Sequence, residues 1–586
     1  MTSSWGTSMQ PGRARRGAVV LACVAALSLP ALARAGGPGG VMPPYLPSDG
    51  SAEALRASWP APVTRSHPEG SLRTASSGNV HLLVILAEFA DKAHRLEADR
   101  FTELLFGAAP SLRDYYDVAS RGALALSGDL HGWVTLPSSQ LTYSNNVGGV
   151  GAYPNNAQKM TEDAVQAAMS AGLDLADYDA DADGAVDALL VIHSGQGLEW
   201  SANAAVTSEP DAQAIQSHVW GPVVKSFGES LPEVRRYFTC PEMQLVRPLY
   251  VPDADSIATI GVYCHEFGHM MGLPDFYDTG TLENRVGRWA IMDYGGWSSR
   301  PTADGIPGDL PSQPSAWSKM FLGWATPTVL SAAVGERIEQ TISLSSASTG
   351  GAPLQLLPNP AGVDWSLAQP GTGEYFLAEV RTREGYDAGL PADGLVLYHI
   401  DESREDNDAA NNPDDGGLVL LLPQDGVVDV QAASSAADPW PGAQTTFGET
   451  SSPSSALHDG SASGVSLSGI SGLSGGSVSF TAIVASTATR PYPFVLPNPW
   501  RPSLKAEVEI VLAAPGAPVA QGGRVLIHDV AGRLVRVLGP EHITEGRVAR
   551  WDARTASGQL AVPGLYFFRL VGGAGTAPAG RLFLLR

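Results

Sequence analysis

The sequence predicts a multidomain α+β protein, in which a mixed domain of helices and strands precedes two units built from short strands. Three observations carry this reading. At 586 residues the chain is too long for one hydrophobic core. Helical and strand periodicities interleave from Leu82 to Trp324. Beyond Pro327 the helical pattern stops, and short alternating segments separated by turn residues take over. The expected boundaries are 1–35 for a signal peptide, 36–77 for a propeptide or linker, 78–326 for the mixed domain, 327–485 for a β-sandwich and 486–586 for an immunoglobulin-like β-domain.

Composition narrows the class. The formal net charge is −23 and 44% of residues are hydrophobic, which is globular and acidic. Such a surface excludes nucleic acid and anionic membrane as main partners. At the N-terminus, Arg13, Arg15 and Arg16 precede an uncharged apolar run from Gly17 to Ala33, and Ala33-Arg34-Ala35 offers the small residues a signal peptidase reads. The run is short for a membrane span of about 20 residues, and Cys23 lies inside it, not after it as a lipoprotein site requires. The expectation is a secreted chain with no transmembrane segment after cleavage. Cys240 and Cys264 then remain, either bonded to each other or as two buried thiols.

The Gly-, Pro- and Ser-rich stretch from Gly36 to Ser77, with a short helix near Ala52 to Ser58, reads as a removable segment. It carries no cysteine, so any latency would rest on another group or on steric cover. HLLVILAEFAD, from His81, reads as a buried strand, followed by helices around Phe101 to Phe106, over SLRDYYDVASRG and from Asn156 to Ala171. Asp179, Asp181, Asp183 and Asp187, with Gly184 at the turn, occupy positions 1, 3, 5 and 9 of a calcium loop. Leu190 stands where an EF-hand places its glutamate, and a strand follows. A calcium loop of another architecture and a plain acidic turn both fit. His193, at the end of that strand, reads as a core residue.

VYCHEFGHMMGLPD, Val262 to Asp275, holds the candidate chemistry. His265 and His269 are four apart, so on a helix both imidazoles project from one face and can share a zinc ion. Glu266 beside them is the candidate general base for a water at that metal. Gly272 suits the helix end, after which the chain turns back to offer Asp275 as third ligand. Glu283 is the rival carboxylate. Met292, in GRWAIMDYGGW, reads as a turn beneath the metal, with Tyr294 either stabilising the oxyanion or forming a wall. PSAWSKMFLGW reads as a closing helix.

Among the later strands, EYFLAEVR and GLVLYHID precede an acidic loop, DESREDNDAANNPDD. His399, Asp401 and this loop read as solvated rather than as a calcium site. VLIHDVAGRLVRVL, ARWDARTASGQL and GLYFFRLV are spaced like immunoglobulin-like strands, with a hairpin at Ala531-Gly532-Arg533 and Trp551 as core anchor.

The extended pattern HExxHxxGxxD with the later methionine turn resembles the metzincin clan of zinc peptidases, and within it the secreted peptidases similar to immune inhibitor A. The resemblance covers most of Leu82 to Val484, including LLVILAEFAD, YDADADGAVDALLVIHSG, HEFGHMMGLPDFYD and WAIMDYGGW. It implies a metzincin-like fold, His265, His269 and Asp275 as zinc ligands, Glu266 as base, and protein or peptide substrates outside a bacterial cell. Asp275 departs from the third histidine of many metzincins but agrees with this branch. NPWRP, DVAGR, WDARTASG and GLYFFRL resemble the C-terminal domains of flagellar hook-capping and type IX sorting modules, which implies secretion machinery or a cell surface as partner. A non-catalytic adhesin retaining a metal site is the alternative from another class.

Overall fold

A computed structural model describes residues 40–41 and 73–585, except 202–212, 245–255, 303–304, 334, 367–370, 413, 415, 429–433, 487–493, 497, 504, 513–522, 545–547 and 572–578. The expected signal peptide and the helix at 52–58 lie outside the described residues.

The first sheet has the order β1-β5-β6-β4-β2-β3. Its strands are β1 (Gly40–Val41), β2 (Gly78–Glu88), β3 (Leu124–Thr135), β4 (Leu189–Gln196), β5 (His218–Trp220) and β6 (Tyr237–Met243). β3, β2, β4 and β6 run parallel, whereas β5 and β1 are antiparallel additions at one edge. Parallel strands covered on both faces have apolar residues pointing both ways, and β2 shows why its sequence is a continuous apolar run. Val80, Leu82, Val84 and Leu86 enter one core, and Leu83, Ile85 and Ala87 the other.

Helices α1 (Ala98–Phe106) and α2 (Leu112–Ser120) cover the first face. α3 (Gln140–Ser144) precedes α4 (Ala157–Ser170), which covers the second through Met160, Ala164 and Val165. Asn156 starts α4 by accepting the Lys159 N–H on its side chain. α5 (Leu198–Ser201) follows β4. The central helix, α6 (Ile260–Met270), is buried along its whole length against the first core, and α7 (Ala316–Phe321) closes the segment.

Two further sheets follow, in the orders β12-β11-β10-β9-β7 and β13-β14-β8. They comprise β7 (Thr328–Leu330), β8 (Arg337–Ser345), β9 (Leu354–Leu356), β10 (Glu374–Arg381), β11 (Gly394–Asp401), β12 (Val419–Leu421), β13 (Val465–Ser468) and β14 (Ser477–Ala485). The five-stranded sheet is apolar on both faces. Phe376, Ala378, Leu395 and Leu397 pack toward the three-stranded sheet, while Tyr375, Leu377, Val396, Tyr398 and Ile400 join the core that holds α6. The fully buried Arg381 reinforces that junction by donating to Asp387 and to the Trp289 carbonyl.

The C-terminal residues form two antiparallel four-stranded sheets, β15-β16-β20-β19 and β18-β17-β21-β22. Their strands are β15 (Phe494–Leu496), β16 (Val508–Val511), β17 (Arg524–Asp529), β18 (Leu534–Leu538), β19 (Ile543–Thr544), β20 (Val548–Trp551), β21 (Gly564–Val571) and β22 (Ala579–Leu584). They enclose a separate core around Trp500 and Trp551.

One alternative left open by the sequence is resolved here, and one expectation changes. Cys240 and Cys264 are both buried free thiols, so α6 is held by packing and hydrogen bonds, not by a disulfide. The acidic loop after β11 is not simply solvated. Asp401, Glu402, Asp406, Asn407 and Asn412 are buried: Asn407 and Glu402 bond backbone groups of other segments, at Phe276 and Asp364, while Asp406 and Asn412 bond within the loop. No helix among the described residues is long and apolar enough to cross a membrane.

Candidate metal centre

α6 presents His265 and His269 on one face, as their spacing requires. The helix ends at Met271, and Gly272 then adopts φ +96°, which a residue with a Cβ rarely takes. This reversal lets the Leu273 carbonyl accept from His269 Nδ1 at 2.7 Å and carries Asp275 back beside both rings. The Ile291 carbonyl, from the turn containing Met292, lies 2.9 Å from His265 Nδ1.

Both carbonyls can only accept, so each neutral ring carries its proton on Nδ1 and turns the Nε2 lone pair inward. The two Nε2 atoms stand 3.1 Å apart, and each is 3.1 Å from Asp275 Oδ1. A tetrahedral divalent ion with bonds of about 2.0–2.1 Å keeps its ligand atoms roughly 3.3 Å apart. The triangle is therefore the size of one face of such a tetrahedron, and the donor set fits a metal. Burial also lowers the His269 pKa, favouring the neutral ring that ligation needs. Glu283 stays outside this group, since its carbonyl pairs with the Asp278 N–H in a bridge further along the loop.

Glu266 is fully buried on the same helix, and Tyr294 is buried in the turn after Met292. Met292 packs directly beneath α6. A Cβ built on Gly268 would meet its sulfur at 2.7 Å, and the Phe276 N–H donates to the Met292 carbonyl at 2.7 Å. Gly268 therefore admits the methionine turn, a role hidden inside the HExxH pattern.

Other supporting residues carried no motif. Asp293, buried next to Met292, accepts N–H groups of Arg285, Val286, Gly287 and Tyr294, and burial pushes its pKa up to about 6. Arg236 donates to the carbonyls of His269 and Met270, capping the C-terminal end of α6 with positive charge. Asn407 donates to the Phe276 carbonyl at 2.8 Å, Asp408 accepts from the Thr279 N–H and hydroxyl, and Asp278 accepts from the Ala409 N–H. The acidic loop thus fastens the segment that follows Asp275.

The candidate calcium loop separates its members. Asp179, Asp181 and Asp187 bring one oxygen each within 4.8 Å of one another. Asp183 turns away to pair with Arg235 at 2.9 Å. Gly184 makes the sharp turn, and β4 follows as read. Thr74 ties this loop to α6, donating its hydroxyl to the Asp187 carbonyl and its N–H to the Met270 carbonyl, both at 3.0 Å. His193 is a buried core residue whose pKa is lowered to about 4 by burial.

Residues 93–325 match the family described as "Immune inhibitor A peptidase M6, catalytic domain". Immune inhibitor A of Bacillus thuringiensis subsp. alesti is 26% identical over 280 residues, covering 41% of this chain and 39% of that protein. The pre-pro-metalloprotease PrtV of Vibrio cholerae serotype O1 is 29% identical over 258 residues, 39% of this chain and 26% of that protein. The chain therefore spans about two fifths or less of the length of these curated relatives. A solved structure of PorZ, a surface component of the type-IX secretion system of Porphyromonas gingivalis, aligns at 22% identity over 21% of this chain and 15% of that one. Its TM-score of 0.14 is too low to bear on fold or function. The stretch that brings together His265, His269, Asp275 and the Met292 turn is the stretch that matches a peptidase M6 catalytic domain.

Proposed function

We propose that this chain is a secreted zinc-dependent endopeptidase acting on extracellular proteins or peptides, with His265, His269 and Asp275 as the zinc ligands of a metzincin-like domain. The observation that carries the reading is the buried triangle of two Nε2 lone pairs and one carboxylate oxygen, all 3.1 Å apart. The match of residues 93–325 to a peptidase family supports it. Bound zinc supplies Lewis acidity toward a water and the scissile carbonyl.

The chain's own residues do the rest. Glu266, fixed on the ligand helix, accepts the proton of the attacking water and returns it to the leaving amine. Tyr294 donates its hydroxyl to the oxyanion that develops on the substrate carbonyl. The Nδ1 bonds of both histidines hold the rings in one tautomer. Glu266→Ala is expected to retain stoichiometric zinc and to lower casein cleavage by about 10²–10⁴-fold. Cleavage at the parental rate by the purified variant would refute the mechanism.

In this reading the N-terminal segment is a removable propeptide. Gly40–Val41 pairs with β5, the strand that would otherwise form the sheet edge, and both lie beside α6. The acidic loop takes calcium on Asp179, Asp181 and Asp187. The C-terminal pair of sheets is an immunoglobulin-like domain used for sorting or surface attachment.

A further inference from the structure

We propose that Glu374, His399 and His458, with Asp401 beside them, form a second divalent-metal site of zinc-binding type, inside the sandwich and separate from the α6 centre. Strand register brings the first components together. Glu374 pairs with Asp401 and Phe376 with His399 across β10 and β11, so these four side chains share one face of the sheet. His458, from the connection between β12 and β13, lies on that face. Its ring stacks on His399 with centroids 4.0 Å apart, and His399 stacks in turn on Phe376.

The polar atoms converge on one carboxylate. His399 Nε2 is 3.1 Å from Glu374 Oε1, and His458 Nδ1 is 3.8 Å from the same oxygen and 3.0 Å from Asp401 Oδ2. These separations bracket the roughly 3.3 Å that a tetrahedral zinc imposes on its ligand atoms. Two imidazoles with carboxylate oxygens also form a donor set suited to zinc.

Glu374 Oε1 accepts the His458 backbone N–H at 2.7 Å and stands 3.1 Å from His399 Nε2, while Asp401 Oδ2 is shared between His458 Nδ1 and the Arg404 guanidinium, both at 3.0 Å. Two stacked imidazoliums would repel one another, so the stacking favours at least one neutral ring. A cation held by His399, His458 and Glu374 takes the place of a proton between the rings and the carboxylate. It would staple the β10–β11 pair to the connection that carries His458, as a structural ion.

The test uses the full-length chain, stripped of metal and then titrated with zinc in excess calcium so that the acidic loop is saturated. Elemental analysis of the parent should give about two equivalents of zinc, and His265→Ala/His269→Ala should keep about one. Adding His458→Ala to that double variant should remove the remaining equivalent. The inference is overturned if the double variant binds no zinc, or if His458→Ala leaves its stoichiometry unchanged. Cobalt provides a readout that does not depend on the triple variant folding. The double variant should show the ligand-field absorption of a four-coordinate ion at one equivalent of cobalt, and its absence overturns the proposal. Proteolysis is not among the readouts, so failure of the peptidase reading and failure of this one are distinguishable.

Discussion

The α6 triangle and the acidic loop at 179–187 are both regular in sequence, yet they are organised in opposite ways. In the triangle each histidine spends its outer nitrogen on a backbone carbonyl from another segment, Ile291 or Leu273, and the donor atoms that remain face one another in a fully buried space. In the loop the carboxylates turn to their own backbone. Asp179 accepts the N–H groups of Asp183 and Gly184, Asp181 that of Asp183, and Asp187 that of Ala180. The first arrangement directs lone pairs at a metal because surrounding structure holds the far side of each ligand. The second satisfies itself locally, so any cation there adds to a turn that already stands.

That contrast can be broken by substitution, and the largest effect belongs to the triangle. His269→Ala should remove the zinc equivalent held at α6 and reduce proteolysis to background, because two remaining donors do not hold that ion. Retained zinc with parental cleavage would mean that the metal sits elsewhere. A smaller effect is expected at Asn407, which touches no ligand but bonds the Phe276 carbonyl next to Asp275 and both polar groups of Val419. Asn407→Ala should weaken zinc binding roughly tenfold, read by competition with a chromophoric chelator, and should lower stability by about 1–3 kcal/mol. Unchanged zinc affinity would show that the acidic loop does not position Asp275.

The smallest effects belong to 179–187. Calcium should raise the melting temperature of the parent, and Asp187→Asn should erase much of that rise in a calorimetric scan. Asp183→Asn should preserve it, because Asp183 faces Arg235 across an exposed pair whose loss costs within about 1 kcal/mol. Equal loss of the calcium effect in both variants would place Asp183 back among the ligands.

What the sequence revealed follows the same division between local and distant determinants. His265, His269, Gly272 and Asp275 lie within eleven positions, so helical periodicity and one glycine suffice to bring them together. Met292 was legible by its motif, and the closing helix and most strands by their periodicity. The supporting partners were not. Arg236 and Asn407 act through backbone atoms of the α6 end and of Phe276, 33 to 131 positions away, and no periodicity records such a bond. The acidic loop after β11 looked solvated because its charges are dense. Asn407 and Glu402 are buried because backbone groups of other segments meet them, and Asp406 and Asn412 because the loop bonds to itself, neither of which composition can express.

The five-stranded sheet has a consequence for how the molecule comes apart. One of its faces closes the core around α6, so a chain cut at 326 would leave that core without Tyr375, Leu377, Val396 and Tyr398 and would present its apolar side to water. The cooperative folding unit is therefore longer than the 93–325 stretch recognised by similarity. On heating, the peptidase-like segment and the middle sheet should melt in one transition, and the C-terminal pair of sheets, with its own core, in another.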